Sequence, residues 1–251
     1  MNITVTAVED VPPISRTEAR ALAAAENERM LEMLRSLDGD DWSKPTDCPS
    51  WNVRDLAGHV LGGMEGFTSL GQLMHMMRAA KKEAGDGSFV DGMTAVQVRE
   101  RADLSNADLI RRVEEAGPKS ARFRSRFPAP FRMIGMKQEL LSGTTERWKM
   151  SYLLDTILTR DTWMHRVDIS RATGHTLRLT PQHDGRIVAD AVAEWARRHG
   201  KSFTLELTGP IAATFEKGSG GEAITVDPVE LCRVFSGRGT GDGLLAQEVP
   251  F

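Results

Sequence analysis

The sequence predicts an α+β protein, with a bundle of four helices over residues 1–175 and a small α+β domain over residues 176–251. Along four segments before residue 175, apolar residues recur at three- and four-residue spacing, the period of a helix buried on one face. After residue 200 they alternate with polar neighbours, as in half-buried strands. A chain of 251 residues is long enough for both parts.

The first two helices follow from their capping residues and apolar period. The first is predicted to begin at Ser15, because a serine with Glu18 three residues later satisfies two free amides of a helix N-terminus. Gly39 is typical of a helix end. The second begins near Asn52, and its apolar positions continue to Met77 in alternating steps of four and three. That period predicts one continuous buried face.

A line of glycines marks a second face of that helix. Gly58, Gly62 and Gly66 lie at spacing four, and His59 lies beside them. Each glycine inside a helix costs about 0.5–1 kcal/mol relative to alanine. Three on one line therefore indicate a surface that another helix or a ligand approaches closely.

The third helix is predicted to begin at Ser105, and arginines follow towards its end. Arg122, Arg124 and Arg126 alternate with other residues before Pro128, where the helix ends. Such a run could grip an anionic ligand, although alternating charge is more typical of a solvated surface. Residues 131–150 follow no clear pattern.

The remaining elements are a fourth helix and the C-terminal domain. The fourth helix is predicted from Ser151 to Ala172, closed by Gly174. The domain beyond it is predicted to contain a helix from Pro181 to Gly200, strands around 203–207, 211–216 and 224–226, and a short helix over 229–235.

Composition excludes several classes of protein. Lys and Arg number 32 and Asp and Glu 35, a net charge of -3, so the chain lacks the basic surplus of a nucleic-acid-binding protein. No apolar run reaches membrane-spanning length, and no export signal is recognised, so we expect no membrane partner. Two cysteines, Cys48 and Cys232, form neither a disulfide framework nor a cysteine zinc site. We therefore expect the protein in the cytoplasm.

Two histidines lie deep inside apolar helices beside other candidate metal ligands. His59 is on the second helix, and His165 is on the fourth, with Asp161 one turn earlier. Residues four apart share a helix face, so this carboxylate and imidazole can bind one ion. A third ligand from another helix would leave the open position that catalytic zinc needs. Asp168 or Asp55 would then orient an imidazole.

Two other interpretations fit the same residues. One is a buried polar cluster in which His165 pairs with Asp161 or Asp168 without any metal. The other is a nucleophilic Cys48 beside His59, although the prolines around Cys48 favour a structural turn.

Several segments resemble one known family. Residues 42–59, WSKPTDCPSWNVRDLAGH, resemble the first motif of the mycothiol-dependent maleylpyruvate isomerase family, and residues 159–169, TRDTWMHRVDI, resemble its second. The tail segments 232–238, CRVFSGR, and 249–251, VPF, resemble its C-terminal domain. The resemblance spans nearly the whole chain, but residues 60–150 match little beyond helical character.

This resemblance implies a fold and a set of functional residues. The fold is a DinB-like up-down four-helix bundle followed by a small α+β domain of sterol-carrier-like type. A divalent metal, usually zinc, is held at the positions of His59, Asp161 and His165. Arg238 matches an arginine important for catalysis and for binding the thiol cofactor. The isomerase proper has glutamate where this chain has Asp161, whose side chain is one methylene shorter.

The function implied is that of a metal- and mycothiol-dependent isomerase or S-transferase. The thiolate, not the thiol, is the nucleophile, and a metal with an open position deprotonates a bound thiol. The partners are a small electrophile and a low-molecular-weight thiol, and Arg238 would hold a carboxylate of one of them. We expect a monomer or a homodimer.

Two alternatives remain open from the sequence. The same metal ligands could activate water in a hydrolase, cyclase or lyase that acts on a secondary metabolite. The α+β domain could instead make the chain a non-catalytic ligand-binding module.

Overall fold

The structure is a computed structural model, and it describes residues 5–251. Its elements in chain order are β1 (Val5–Ala7), α1 (Arg16–Arg35), α2 (Val53–Gly66), α3 (Leu70–Ala84), α4 (Phe89–Arg99), α5 (Asn106–Arg126), α6 (Ala129–Arg132), β2 (Gly135–Glu139), β3 (Thr145–Lys149), α7 (Met150–Tyr152), a π-helical turn (Leu153–Ile157), α8 (Leu158–Thr173), α9 (Arg186–His199), β4 (Phe203–Leu207), β5 (Ala213–Lys217), β6 (Glu222–Val226) and α10 (Pro228–Phe235). Among these residues, no helix has both the length and the apolar character needed to cross a lipid bilayer.

The chain forms two compact units. The helical unit comprises Arg16–Ile134 and Met150–Leu177, and the mixed unit comprises residues 5–15, Gly135–Lys149 and Arg178–Phe251. The predicted division after residue 175 is therefore wrong for two segments that it assigned to the bundle. Residues 5–15 and Gly135–Lys149 belong to the mixed unit.

One segment joins the mixed unit by strand pairing and the other by hydrogen bonds to a side chain. Strand β1 pairs in parallel with β5. Strands β2 and β3 form an antiparallel hairpin, and the amides of Leu141 and Ser142 in its loop donate to the Glu248 carboxylate at 2.8 and 3.0 Å. Strand formation depends strongly on the surrounding side chains, so the sequence of a short hairpin shows little pattern of its own, which explains why residues 131–150 gave none.

The mixed unit confirms the predicted α+β class. Its four-stranded sheet has the order β1-β5-β4-β6, with β4 antiparallel to β5 and parallel to β6. Strand β4 alternates buried and exposed residues, as predicted. In its core the Trp195 ring packs against Phe203 and Phe235, with centroids 4.6 and 5.5 Å away, and the Trp195 indole donates to the Leu244 carbonyl at 2.9 Å.

In the helical unit, α1, α2, α5 and α8 form a four-helix bundle. Helices α1 and α2 each pack against both α5 and α8. The bundle core is aliphatic and sulfur-rich, with fully buried residues that include Met30, Leu34, Leu56, Leu61 and Leu109. Helices α3 and α4 pack on each other and add a pair beside α2.

The predicted continuous second helix is wrong, because it breaks after Gly66. Ser69 caps a new helix, α3, because its side chain accepts a hydrogen bond from the backbone amide of Gln72, three residues ahead. Leu70 and Met74, which the period assigned to the buried face, are 63% and 42% exposed on α3. A local cap therefore overrides an apolar period that continues through it.

The glycine line of α2 faces the pair α3–α4. A Cβ atom on Gly62 would lie 2.6 Å from the Cβ of Gln97, and one on Gly66 would overlap the Met76 sulfur. Gly58 lies against Arg101, where a Cβ would make an ordinary contact at 3.7 Å. The expectation of a close approach is correct, and the approaching groups belong to helices.

We expect Gly62→Ala to destabilise the protein by about 1–3 kcal/mol, because the added methyl must displace Gln97 close to its backbone. Gly63→Ala is the matched control: its Cβ would lie 3.9 Å from the Gln97 amide nitrogen, so the helix should gain about 0.5–1 kcal/mol. Urea unfolding measures both, and equal stability of the two variants would contradict this packing.

Candidate metal centre

Helix α2 carries His59 into the bundle. A capping box forms its N-terminus: the Asn52 side chain accepts a hydrogen bond from the Asp55 amide at 2.9 Å, and the Asp55 carboxylate accepts one from the Asn52 amide at 3.3 Å. Asp55 therefore caps the helix and does not orient an imidazole, contrary to one of our two expectations. His59 follows one turn later and is 7% exposed.

Helix α8 brings Asp161 and His165 to the same place. The His165 Nε2 lies 3.4 Å from Asp161 Oδ1, and the His59 Nε2 lies 3.7 Å from Asp161 Oδ2. The two imidazole rings are 4.9 Å apart between centroids and nearly perpendicular. One ligand atom from each of the three residues lies within 4.8 Å of the others.

The distances from the two imidazole nitrogens to the Asp161 oxygens are close to the spacing of ligand atoms around one ion. Ligand atoms about 2.0–2.2 Å from zinc are about 3.3–3.6 Å apart in tetrahedral geometry. Both imidazoles are buried, whereas the Asp161 side chain is 33% exposed. The potential donors are thus two buried nitrogens and one carboxylate oxygen. The carboxylate lies on the side of the cluster that an external ligand can reach.

Asp168 sets the tautomer of His165. Its fully buried carboxylate lies 2.9 Å from His165 Nδ1. Because a carboxylate accepts, Nδ1 carries a hydrogen, and Nε2 is left as the ring nitrogen that faces Asp161 and could ligate a cation. Cys48 Sγ lies 3.8 Å from the same Asp168 oxygen. The structure therefore places Cys48 beside the His165–Asp168 pair, and it gives no support to a nucleophile activated by His59.

Asp168→Asn is expected to weaken zinc binding about 10- to 100-fold, because the amide can no longer hold the His165 tautomer in the same way. Competition with a chromophoric chelator measures the affinity. Asp55→Asn is the control, since that carboxylate caps α2 and does not contact either imidazole in the described chain. Unchanged affinity in Asp168→Asn would contradict the orienting role.

Opposite charges stabilise each other in the cluster. Burial opposes ionisation of Asp161, but the charge and contacts of His165, with a contribution from His59, outweigh it and hold the pKa of Asp161 well below its usual value. Burial also opposes protonation of His165, yet Asp161 and Asp168 raise the pKa of His165 well above its usual value. A cation binding here must displace that proton, so metal affinity should rise with pH.

Trp51 is a site residue to which the sequence analysis assigned no role. Its ring centroid lies 4.8 Å from that of His59 and 6.4 Å from that of His165. Its position just before the cap of α2, inside the first motif, was the available signal. A cavity of about 20 Å³ borders Asp161, which is room for only one or two water-sized atoms. The two imidazoles are thus buried, and Asp161 is the member of the cluster that solvent reaches.

Arg124 is the second residue that the sequence analysis misjudged. Arg122 and Arg126 are exposed, as expected of a solvated run, but Arg124 is 5% exposed and borders the cavity beside Asp161. Helical spacing was the available signal, because steps of four and three along α5 connect the buried residues 113, 117, 120 and 124.

Arg238 lies in the mixed unit, in the turn after α10. Its amide donates to the Arg233 carbonyl at 2.8 Å, and its own carbonyl accepts from Arg233 Nη2 at 3.2 Å. Its side chain is half-buried. Its role in catalysis and thiol binding stays a prediction.

A second group of potential ligands, Asp38, Asp41 and His175, is explained by structure. The Asp41 carboxylate accepts from Lys44 Nζ at 2.8 Å and from the Asp38 amide at 2.9 Å, and it contacts His175 Nε2 at 2.9 Å. Lys44 and the Asp38 amide lower the pKa of Asp41 to about 2. This cluster holds the connector between α1 and α2.

Comparison with known proteins agrees with the motifs. Residues 23–170 match the model of the family described as mycothiol maleylpyruvate isomerase N-terminal domain. Comparison with curated protein sequences gives no match. Two crystal structures are similar in fold, the mycothiol-dependent maleylpyruvate isomerase and a histidine-to-alanine mutant of it.

These structures are distant in sequence and similar along their whole length. The isomerase has a TM-score of 0.57 and 16% identity over 95% of this chain and 94% of its own. The mutant has a TM-score of 0.56 and 15% identity over 94% and 93%. Because the family model covers more than half of the chain, the family is established by sequence as well as by fold. The chain belongs to the mycothiol maleylpyruvate isomerase N-terminal domain family, and it is an enzyme of the isomerase or transferase type.

Proposed function

We propose that this chain is a zinc-dependent enzyme that uses mycothiol to isomerise maleylpyruvate or a similar small electrophile. The observation that carries the proposal is the convergence of His59, Asp161 and His165 from two helices, inside the segment matched by the family model. Two nitrogens and one oxygen suit zinc and leave a position for a thiol.

The chain's own residues prepare the reaction. Asp168 holds the His165 ring so that Nε2 faces the cluster, and Trp51 packs against the imidazoles. The exposed part of the Asp161 carboxylate marks the side from which a thiol enters. Zinc bound by these residues would lower the pKa of that thiol and so supply a thiolate at neutral pH.

The reaction follows from addition to a conjugated double bond. The thiolate forms a C–S bond, and the double-bond electron pair moves to the conjugated carbonyl oxygen. The remaining single bond rotates, the C–S bond breaks, and the double bond returns in the trans form with the thiol regenerated. An S-transferase would instead protonate the adduct and release it. Arg238 is proposed to hold a carboxylate of the thiol or of the electrophile by paired hydrogen bonds.

The test combines metal analysis with thiol dependence. Protein purified without chelator should contain about one zinc per chain, and it should isomerise maleylpyruvate with mycothiol but not with glutathione. Activity that persists without any thiol would favour the metal-activated water of a hydrolase or lyase. A protein that neither contains nor takes up zinc, and is inactive with mycothiol, would overturn the proposal.

A further inference from the structure

Arg124 differs from other buried arginines of the helical unit. Three of these each contact a carboxylate within 4 Å: Arg166 with Glu26, Arg132 with Asp155, and Arg101 with Glu65. In the part of the chain that the structure describes, Arg124 has no carboxylate at such a distance. Burial lowers the pKa of Arg124 to about 10, although the charges of Asp155 and Asp161 act against that shift, so the side chain remains charged at neutral pH. A buried charge with no directly paired counter-ion is costly, which points to a partner that binds there.

The guanidinium of Arg124 is held in a fixed orientation. Its Nε and Nη2 donate to the Leu154 carbonyl at 2.9 and 2.6 Å, and Nη2 also donates to Thr159 Oγ1 at 2.8 Å. Leu154 belongs to the π-helical turn before α8, a type of turn that is frequent at functional sites. Nη1 has no hydrogen-bond partner among residues 5–251. One edge of the guanidinium thus remains for a ligand.

The cavity beside Arg124 suits a small anionic group. It is shared with Asp161, and Ser120 and Thr162 also contribute to its wall. Its volume of about 20 Å³ corresponds to one or two oxygen-sized atoms, which matches the two oxygens of a carboxylate and is too small for a whole substrate. Because Asp161 is negative, an anion would stay here only if a fixed cation compensated for the repulsion.

We propose that Arg124 is an anion-binding residue of this site, which holds a carboxylate of the substrate beside the metal ligands. The inference rests on the proposed function and narrows it to electrophiles that carry a carboxylate near the reacting carbon. It adds a binding residue on α5 that neither motif contains.

Formate and its neutral analogue formamide test the proposal. Calorimetry measures their binding to the metal-free and the Co²⁺-loaded protein, and the visible spectrum of Co²⁺ reports whether formate binds near the ion. We expect formate, but not formamide, to bind. Arg124→Met should weaken formate binding about 10-fold or more, the loss expected for a charged hydrogen bond. Arg124→Lys should be intermediate, and Arg101→Met, which removes a buried arginine away from the cavity, should bind as the wild type does.

The outcomes separate this inference from the proposed function. Equal formate affinity in wild type and a folded Arg124→Met would overturn the inference. If that variant does not fold, unchanged affinity in Arg124→Lys would overturn it instead. Arg124-dependent formate binding in a protein that takes up no Co²⁺ would leave the inference standing and refute the metal-dependent function.

Discussion

Replacing His165 with alanine is expected to abolish zinc binding and, with it, mycothiol-dependent turnover. In the proposed site His165 supplies one ligand atom, and it contacts the carboxylates of Asp161 and Asp168 at 3.4 and 2.9 Å. Loss of an outer hydrogen-bond partner already costs about 10- to 100-fold in affinity or activity, so loss of a ligand should cost more than about 100-fold. His59→Ala should have the same effect, because His59 is the ligand that α2 contributes to the proposed site.

The measurements are zinc content by elemental analysis and turnover with mycothiol. His75→Ala is the matched control: this histidine is also in the helical unit, but its side chain is 58% exposed and lies against Glu100 on α3–α4. It should keep its zinc and its activity. Full zinc occupancy in both His59→Ala and His165→Ala would refute the assignment of the ligands.

Glu26→Ala is expected to destabilise the protein by about 3–5 kcal/mol. The Glu26 carboxylate receives two hydrogen bonds from Arg166, at 2.6 and 3.1 Å, and the pair joins α1 to α8 in the bundle interior. Neither side chain is more than 2% exposed. Removal of the carboxylate leaves a buried guanidinium without this counter-ion, and the cost of desolvating that charge dominates the effect.

An exposed ion pair provides the comparison. Arg35 and Glu114 are 2.7 Å apart, with side chains about half exposed. Solvent screens this pair, so Glu114→Ala should change stability by at most about 1 kcal/mol. Urea unfolding followed by circular dichroism measures both variants. A loss of similar size in the two would show that burial does not control the strength of the Glu26–Arg166 pair.

Local signals predicted the helical elements well where a cap or a break agreed with the apolar period. Ser105 caps α5 as expected, and Gly174 and Gly200 end α8 and α9 in the left-handed conformation. The prediction was wrong at Ser69, where a cap interrupts a continuous period. The sequence analysis predicted neither α4 nor the hairpin, whose strands are stabilised mainly by pairing with each other.

The candidate site was predictable to the extent that its residues are close in sequence. Asp161 and His165 share a face of α8 at spacing four, and Asp168 is within reach of the same imidazole. The link to His59 came from the resemblance to the family, because periodicity alone does not show which face of α2 meets α8. Trp51 has no repeating pattern around it, and only its ring contacts show that it belongs to the site.

By itself the sequence determined the α+β class, the family, the glycine face of α2 and the carboxylate–imidazole pair on α8. These features depend on spacing within a single helix or on motifs that are continuous in the chain. The tertiary structure decided that β1 and the hairpin join the mixed unit, that His59 meets Asp161, and that Arg124 is buried with no carboxylate within 4 Å among residues 5–251. Such features arise when helices and strands distant in sequence pack together, since burial and charge pairing depend on which surfaces come into contact.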